Sequence, residues 1–295
     1  MKIIECVPNF SEGRNRKKID LLASAASSLD GVRLLDVCVD HDHNRTVLTL
    51  IGNPENIVDG AQTVCSRALE LIDMRFHTGV HPRIGAVDVV PFIALKGAVM
   101  ADAVQAAHRF GYAFGKKNGI PVFFYGEAAV DPTRRELPHI RRGGYEGLRE
   151  RIKNPGWKPD AGPAEFNLRW GASAVGAREP LIAFNVNLAT SDARIAREIA
   201  GEIRQAGGGL PCVRAIGVFL KSRNIAQVSI NLINYKVTSI RTVFESVRDK
   251  ASRRGAAVLE SELVGLIPEA ALEGVDISDL KIAGFSRDKI IETHL

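Results

Sequence analysis

The chain has 295 residues, enough for two domains of ordinary size. Hydrophobic residues make up 45% and charged residues 25%, as in globular proteins, and no run of eighteen apolar residues could cross a membrane. The net charge of +5 favours an anionic ligand, but the basic residues are dispersed and aromatics reach only 6%, so nucleic acid is not expected. The N-terminus lacks a signal-peptide core, and we expect a cytoplasmic protein.

Strand-like and helix-like segments alternate along the first half. Alternating or β-branched apolar residues predict strands, and apolar residues three or four positions apart predict helices. The predicted strands are 2–7, 32–39, 45–51, part of 84–95, and 121–125; the predicted helices are 19–29, 53–72 and 102–117. The stretch 126–177 is rich in proline and glycine, and we predict it to be mostly irregular with a short helix near 145–152.

A second domain is predicted from residue 178. Its strands are expected at 181–188, 213–220, 226–233 and within 257–267, and its helices at 192–205 and 240–254. This β-α-β-β-α-β order is that of a ferredoxin-like, split βαβ fold. The first half shows a similar order with an extra helix–strand unit. We therefore predict an α+β protein of two ferredoxin-like subdomains, 1–177 and 178–295.

The segment 77–85, His-Thr-Gly-Val-His-Pro-Arg-Ile-Gly, is the first candidate site. Gly79 and Pro82 exclude a regular helix, which also argues against His77 and His81 as a helical zinc pair. Imidazole titrates near neutrality and is the default general acid or base. The residues alone are equally compatible with a catalytic site and with a solvated loop carrying two incidental histidines.

Residues 40–45, Asp-His-Asp-His-Asn-Arg, form a second candidate. Carboxylate and imidazole suit several divalent ions, and a metal-dependent hydrolase using His41, Asp42, His43 and His77 is one hypothesis. The alternative is a turn between two strands, because Asp and Asn favour turns through local hydrogen bonds. We favour the turn and expect no bound metal.

The glycine-bounded loop 162–171 is a third candidate. Its Phe166, Arg169 and Trp170 could line a flat aromatic ligand or pack as a linker between domains, and these interpretations are compatible. No phosphate-binding glycine loop, dinucleotide motif or G-x-S-x-G motif occurs, and the four cysteines form no C-x-x-C pair. Phosphate-loop enzymes, dinucleotide oxidoreductases, α/β-hydrolases and zinc knuckles are therefore disfavoured.

Several sequence blocks spread over nearly the whole chain form an ordered series. They include Glu-Cys-Val-Pro-Asn-Phe-Ser-Glu-Gly at 5–13, Asn-Arg-Thr-Val at 44–47, His-Pro-Arg-Ile-Gly-Ala-Val-Asp at 81–88 and Ile-Ala-Phe-Asn-Val-Asn-Leu at 182–188. Together they resemble the formiminotransferase family. The resemblance implies transfer of a formimino group from N-formimino-L-glutamate to N5 of the co-substrate tetrahydrofolate, in histidine degradation. It also implies a ligand groove between two subdomains, a homodimer, and a separate cyclodeaminase as a candidate partner.

The resemblance also assigns site residues. The family's catalytic histidine aligns with His81, which would take a proton from the attacking N5 and pass one to the departing amine in sequence. Supporting positions are Asp40, Asp42, Asn44, Arg45, His77 and Arg83. The family's folate-binding loop aligns with Gly162, Pro163, Ala164, Glu165, Phe166, Asn167, Leu168, Arg169, Trp170 and Gly171.

One departure concerns residues 37–44. Animal members of the family have an aspartate where this chain has Cys38, and a glycine at Asp40. If that aspartate orients or charges the catalytic histidine, Asp40 or Asp42 must replace it. Two alternatives therefore stay open: a relative that closes the ring of 5-formyltetrahydrofolate with ATP, and a non-catalytic folate-binding protein.

Overall fold

The computed structural model describes residues 2–295. The chain divides into two compact units, residues 1–178 and 179–295, each with its own sheet and core. This α+β arrangement of two split βαβ units is the predicted fold class. The ligand groove implied between the subdomains stays a prediction.

The first unit contains seven strands and five α-helices within its described residues. In chain order these are β1 (Ile4–Cys6), β2 (Asn9–Phe10), α1 (Arg16–Ser27), β3 (Val32–Asp40), β4 (Arg45–Gly52), α2 (Asn56–Leu71), β5 (Val87–Ala94), α3 (Met100–Asn118), β6 (Val122–Gly126), α4 (Leu137–Arg141), α5 (Gly144–Arg151) and β7 (Ser173–Ala177). Nearly all the predicted elements are confirmed, with ends displaced by a few residues. The helix predicted from 53 begins at Asn56, because the Asn53 side chain accepts hydrogen bonds from the amides that open it.

The first five strands have the ferredoxin-like order. β3 pairs with β4, and both β1 and β2 lie between β4 and β5, with every neighbour antiparallel. With α1 and α2, this part reads β-α-β-β-α-β. The helix–strand unit α3–β6 is the predicted extension.

The strand β7 corrects the prediction that 126–177 is irregular to its end. It lies between β5 and β6 and pairs in parallel with both. Its residues Ser-Ala-Val-Gly-Ala are buried and mostly small, so the usual β-branched signal is weak. A side chain at Gly176 would lie 2.6 Å from the ring of Tyr125, which explains the small residue there. The predicted short helix corresponds to α5, whereas α4 was missed.

Apolar side chains of β5 and β6 alternate between two cores. Phe92 and Phe124 pack on the side of α1–α3, whereas Val89 and Phe123 pack with residues of α4 and α5. Burial on both faces is typical of the parallel part of a sheet.

The second unit has the complete ferredoxin-like order. Its elements are β8 (Ile182–Leu188), α6 (Ala193–Ile203), β9 (Val213–Leu220), β10 (Ile225–Leu232), α7 (Ile240–Ser252) and β11 (Val258–Val264). The sheet order β11–β8–β10–β9 is antiparallel throughout. Short 3₁₀ turns follow up to His294.

Candidate active site

Two irregular segments of the first unit meet at a small pocket. One is the turn 41–44 between β3 and β4; the other is 77–86, which precedes β5 and is not helical, as its glycine and proline predicted. The pocket is an open depression whose empty space, counted together with solvent at its mouth, is about 190 Å³. Its lining residues are Phe10, Ser11, His43, Asn44, Arg45, His77, His81, Arg83 and Asp88.

Asn44 joins the two segments. Its backbone has a φ of 50°, in the left-handed region that asparagine tolerates. Its side chain accepts a hydrogen bond from the Gly13 amide (2.8 Å) and donates one to the Thr78 carbonyl (2.9 Å). A Cβ on Gly79 would lie 2.4 Å from the His43 carbonyl oxygen, so only glycine permits this approach.

His77 is engaged at both ring nitrogens. Its Nε2 donates to the Asn44 carbonyl at 2.9 Å, and its Nδ1 accepts from Arg83 Nε at 3.2 Å. Arg83 in turn pairs with Glu146 on α5 at 2.5 Å. Burial, together with the Arg83 charge, lowers the pKa of His77. The neutral His77 ring therefore links the turn 41–44 to the 77–86 segment through two hydrogen bonds.

His81 has a fixed tautomer with its basic nitrogen in the pocket. Its Nδ1 donates to the Pro82 carbonyl at 2.8 Å, so the lone pair lies on Nε2, which is 3.3 Å from Nη1 of Arg45. Burial lowers the pKa of His81 well below its usual value, and the charges of Arg45, Arg141 and His43 lower it further. A neutral imidazole of this kind can accept a proton.

Two guanidinium groups and one buried carboxylate surround His81. Arg45 donates to Asn9 Oδ1, and its Nε is buried without a partner. Burial and the nearby Arg141 lower the pKa of Arg45 to about 10. Arg141 from α4 donates to Asp88, whose other oxygen accepts from the Ile84 amide at 2.8 Å. Asp88 ends the sequence block 81–88 but was not predicted as a site residue, and neither was Arg141; the available signal for Asp88 was a single acid in the apolar strand 87–94.

Asp40 reaches His81 through His43. Its carboxylate contacts His43 Nδ1 at 2.5 Å and the His43 amide at 2.7 Å. The His43 ring meets the His81 ring edge-on, with centroids 5.6 Å apart and an angle of 85°. Burial alone would raise the pKa of Asp40, but the hydrogen bonds and charge of His43 bring it below the usual value. Asp42 contributes its carbonyl, which accepts from the Val80 amide at 3.3 Å.

The loop 162–171 lies against α2 and the 84–86 segment rather than in the His81 pocket. Trp170 donates its indole N–H to the Leu69 carbonyl at 2.7 Å, and Arg169 donates to the Glu70 carbonyl at 3.2 Å. Phe166 packs on Tyr145 with ring centroids 5.4 Å apart. The Trp170 carbonyl accepts from the Ala86 amide at 2.9 Å, which joins the end of the loop to the 77–86 segment. The residues 162–165 are exposed.

Metal sites and membrane-crossing helices are two other features to consider within residues 2–295. Among these residues, no group of three or more His, Cys, Asp or Glu side chains is arranged to hold a metal ion. No helix in the same part of the chain is both long and apolar enough to cross a membrane.

Comparisons with known proteins agree over the whole chain. Residues 3–178 match the family model described as the formiminotransferase domain, N-terminal subdomain, and 183–278 match the formiminotransferase domain. A glutamate formimidoyltransferase of Thermoplasma acidophilum is 45% identical over all of this chain and 98% of its own length, and one of Streptococcus pyogenes is 43% identical over 100% and 99%. The rat formimidoyltransferase-cyclodeaminase is 46% identical over 92% of this chain and 51% of its own length.

Proposed function

Since this chain belongs to the formiminotransferase family, we propose that it transfers the formimino group of N-formimino-L-glutamate to N5 of tetrahydrofolate, with His81 as the general base. The observation that carries the role of His81 is its tautomer: Nδ1 is bound to a carbonyl and Nε2 keeps its lone pair in the pocket. Relatives with the same activity in their names, at 43–45% identity over the full chain, favour this transfer over closure of 5-formyltetrahydrofolate and over simple folate binding.

The reaction needs two proton transfers. N5 of tetrahydrofolate attacks the amidine carbon, and a bond forms between them as the C=N bond opens to a tetrahedral intermediate. His81 Nε2 takes the proton that the attacking nitrogen loses. The bond to the glutamate nitrogen then breaks, and this nitrogen needs a proton to leave as an amine. One histidine can perform both transfers in sequence.

The charges in the pocket suit anionic substrates. Arg45 and Arg141 bring two guanidinium groups, and Asp88 offsets only one of them. Both substrates carry carboxylates, and a buried guanidinium with an unpartnered N–H is a strong partner for such a group. We assign two roles to Arg45: it attracts the anionic substrates and it keeps His81 neutral. Asn44, His77 and Arg83 hold the turn 41–44 and the 77–86 segment in position.

We assign the folate to the loop from Gly162 to Gly171, whose end is hydrogen-bonded to the 77–86 segment that carries His81. Phe166 and Trp170 offer aromatic surface to a pterin, and Arg169 offers a charge to its glutamate tail. We further propose that 1–177 and 178–295 act as the two subdomains of one transferase. We also propose that the protein is a cytoplasmic homodimer that needs no metal. Its product would pass to a separate cyclodeaminase.

The test is an assay with purified protein, tetrahydrofolate and formiminoglutamate that follows both glutamate and 5-formiminotetrahydrofolate. Product that requires both substrates is expected. His81→Asn should reduce kcat by about 10²–10⁴, whereas His41→Asn, on the exposed part of the neighbouring turn, should retain wild-type turnover. Normal turnover by the His81 variant would exclude its role, and folate binding without formimino transfer would leave two alternatives, the enzyme that closes the ring of 5-formyltetrahydrofolate and the non-catalytic binding protein.

A further inference from the structure

His43 has a feature that a single-histidine mechanism does not use. The side chain is 5% exposed, lines the pocket, and has its Nε2 buried without a hydrogen-bond partner. Its Nδ1 is bound to Asp40 at 2.5 Å. Leaving a buried polar atom unpaired costs stability, and such groups recur where they act on a ligand.

The two imidazoles of the pocket lie in opposite electrostatic environments. His81 is next to Arg45 and near Arg141, so a proton on its ring meets two positive charges. A proton on His43 is compensated by the carboxylate of Asp40. Pairs of titratable groups whose surroundings favour different protonation states are the usual arrangement of a base and an acid in one site.

We propose that His43, oriented by Asp40, is the general acid that protonates the departing amine, while His81 is the base. This deepens the proposed transferase function and rests on it. N5 gives its proton to His81 Nε2, and His43 Nε2 gives its proton to the glutamate nitrogen as the C–N bond breaks. His81 then releases its proton to solvent at the mouth of the pocket, His43 takes up a proton from solvent, and the site returns to its starting state.

The pH profile separates this role from a structural one. Asp40, at the end of β3, contacts His43 directly. The other charged and titratable groups that line the pocket with His43 are Arg45 on β4, His77, His81 and Arg83 on the 77–86 segment, and Asp88 on β5, which pairs with Arg141 of α4. A base and an acid together give a bell-shaped profile of kcat/KM, in which the alkaline limb reports loss of the proton from the acid. Among these groups, only His43 has a carboxylate on one nitrogen and nothing on the other.

The experiment compares kcat/KM from pH 5 to 10 for wild type, His43→Asn, Asp40→Asn and the matched control His41→Asn. His43→Asn should lose about 10²–10⁴ in kcat with KM nearly unchanged, and its alkaline limb should vanish. Asp40→Asn should move that limb to lower pH, because the imidazolium loses its counter-charge. The acid limb of His43→Asn should move to higher pH, because His81 loses a positive neighbour. The proposal is overturned if His43→Asn retains the alkaline limb. It is also overturned if His41→Asn changes the alkaline limb as much as His43→Asn does.

A second measurement does not need turnover. The ¹⁵N shifts of the ring nitrogens, assigned with the single-histidine variants, should show His43 protonated and His81 neutral at the pH of maximal activity. A neutral His43 there overturns the proposal even if the transferase is active. If wild type transfers nothing, the proposed function fails, and the shifts still decide whether Asp40 keeps His43 charged. Tryptophan fluorescence verifies that each variant is folded.

Discussion

The pair of Asp88 and Arg141 leads to a stability prediction. The two side chains are only 3% and 13% exposed, and they join β5 to α4 beside the pocket. Asp88→Asn keeps the shape of the side chain and an acceptor for the Ile84 amide, but it removes the negative charge. Arg141 and Arg45 would then lie close together without the Asp88 charge, and the charge of Arg141 already lowers the pKa of Arg45.

The expected loss follows from the burial of the pair. Removing one partner of a buried ion pair costs about 3–5 kcal/mol, because the remaining charge is desolvated without compensation. Since asparagine still accepts a hydrogen bond, we expect about 3 kcal/mol. The matched control is Glu127→Gln, whose partner is Arg135; these side chains are 43% and 61% exposed. Solvent screens that pair, so its removal should cost about 0–1 kcal/mol.

Urea unfolding measured by tryptophan fluorescence is the assay. Both tryptophans, Trp157 and Trp170, lie in the first unit, so the signal reports the unit that contains Asp88. With a slope of roughly 1–3 kcal/mol per molar urea, the midpoint should fall by at least about 1 M in Asp88→Asn. A loss below about 1 kcal/mol, equal to that of the control, would refute the view that this carboxylate compensates the buried guanidinium of Arg141.

Three further outcomes are expected. The pKa of His81 is lowered in the folded state, so below about pH 6.5 the unfolded chain binds a proton that the folded chain does not bind. The free energy of unfolding should therefore decrease as the pH is lowered below about 6.5. His81→Asn should make this pH dependence weaker, as measured by urea unfolding at several pH values. Trp170→Phe removes one indole hydrogen bond to α2 and should cost about 1 kcal/mol with a higher KM for tetrahydrofolate; an unchanged KM would argue against the folate assignment of the loop. Gly79→Ala drives a Cβ into the turn 41–44 and should lower both thermal stability and kcat, whereas Gly147→Ala, which meets no atom within 4 Å on its helix, should raise stability by about 0.5–1 kcal/mol.

The elements that sequence patterns predicted are those with a strong local signal. β4 alternates β-branched residues, and α6 and α7 have clear apolar faces. The strand β7 was missed because it is stabilised by both neighbours in a parallel pairing, which a five-residue window of small residues does not encode.

The sequence predicted the two segments of the candidate site but not the contacts between their side chains. The titratable residues of 40–45 and 77–85 were identified from their clustering, and both segments are in the pocket. Their partners were not: Arg141 is 60 residues away in sequence from His81 and enters through the tertiary fold. Local spacing also does not predict that Asp40 contacts His43 or that the His43 ring contacts the His81 ring.

The position of β7 has a consequence for biosynthesis. Its partners β5 and β6 are synthesised about 80 and about 50 residues earlier, and their facing edges stay unpaired until Ala177 has been made. Open edges of apolar strands are sites of intermolecular pairing. Nascent chains that stop before Ser173 should therefore bind holdase chaperones or aggregate, and those that include Ala177 should become protease-resistant.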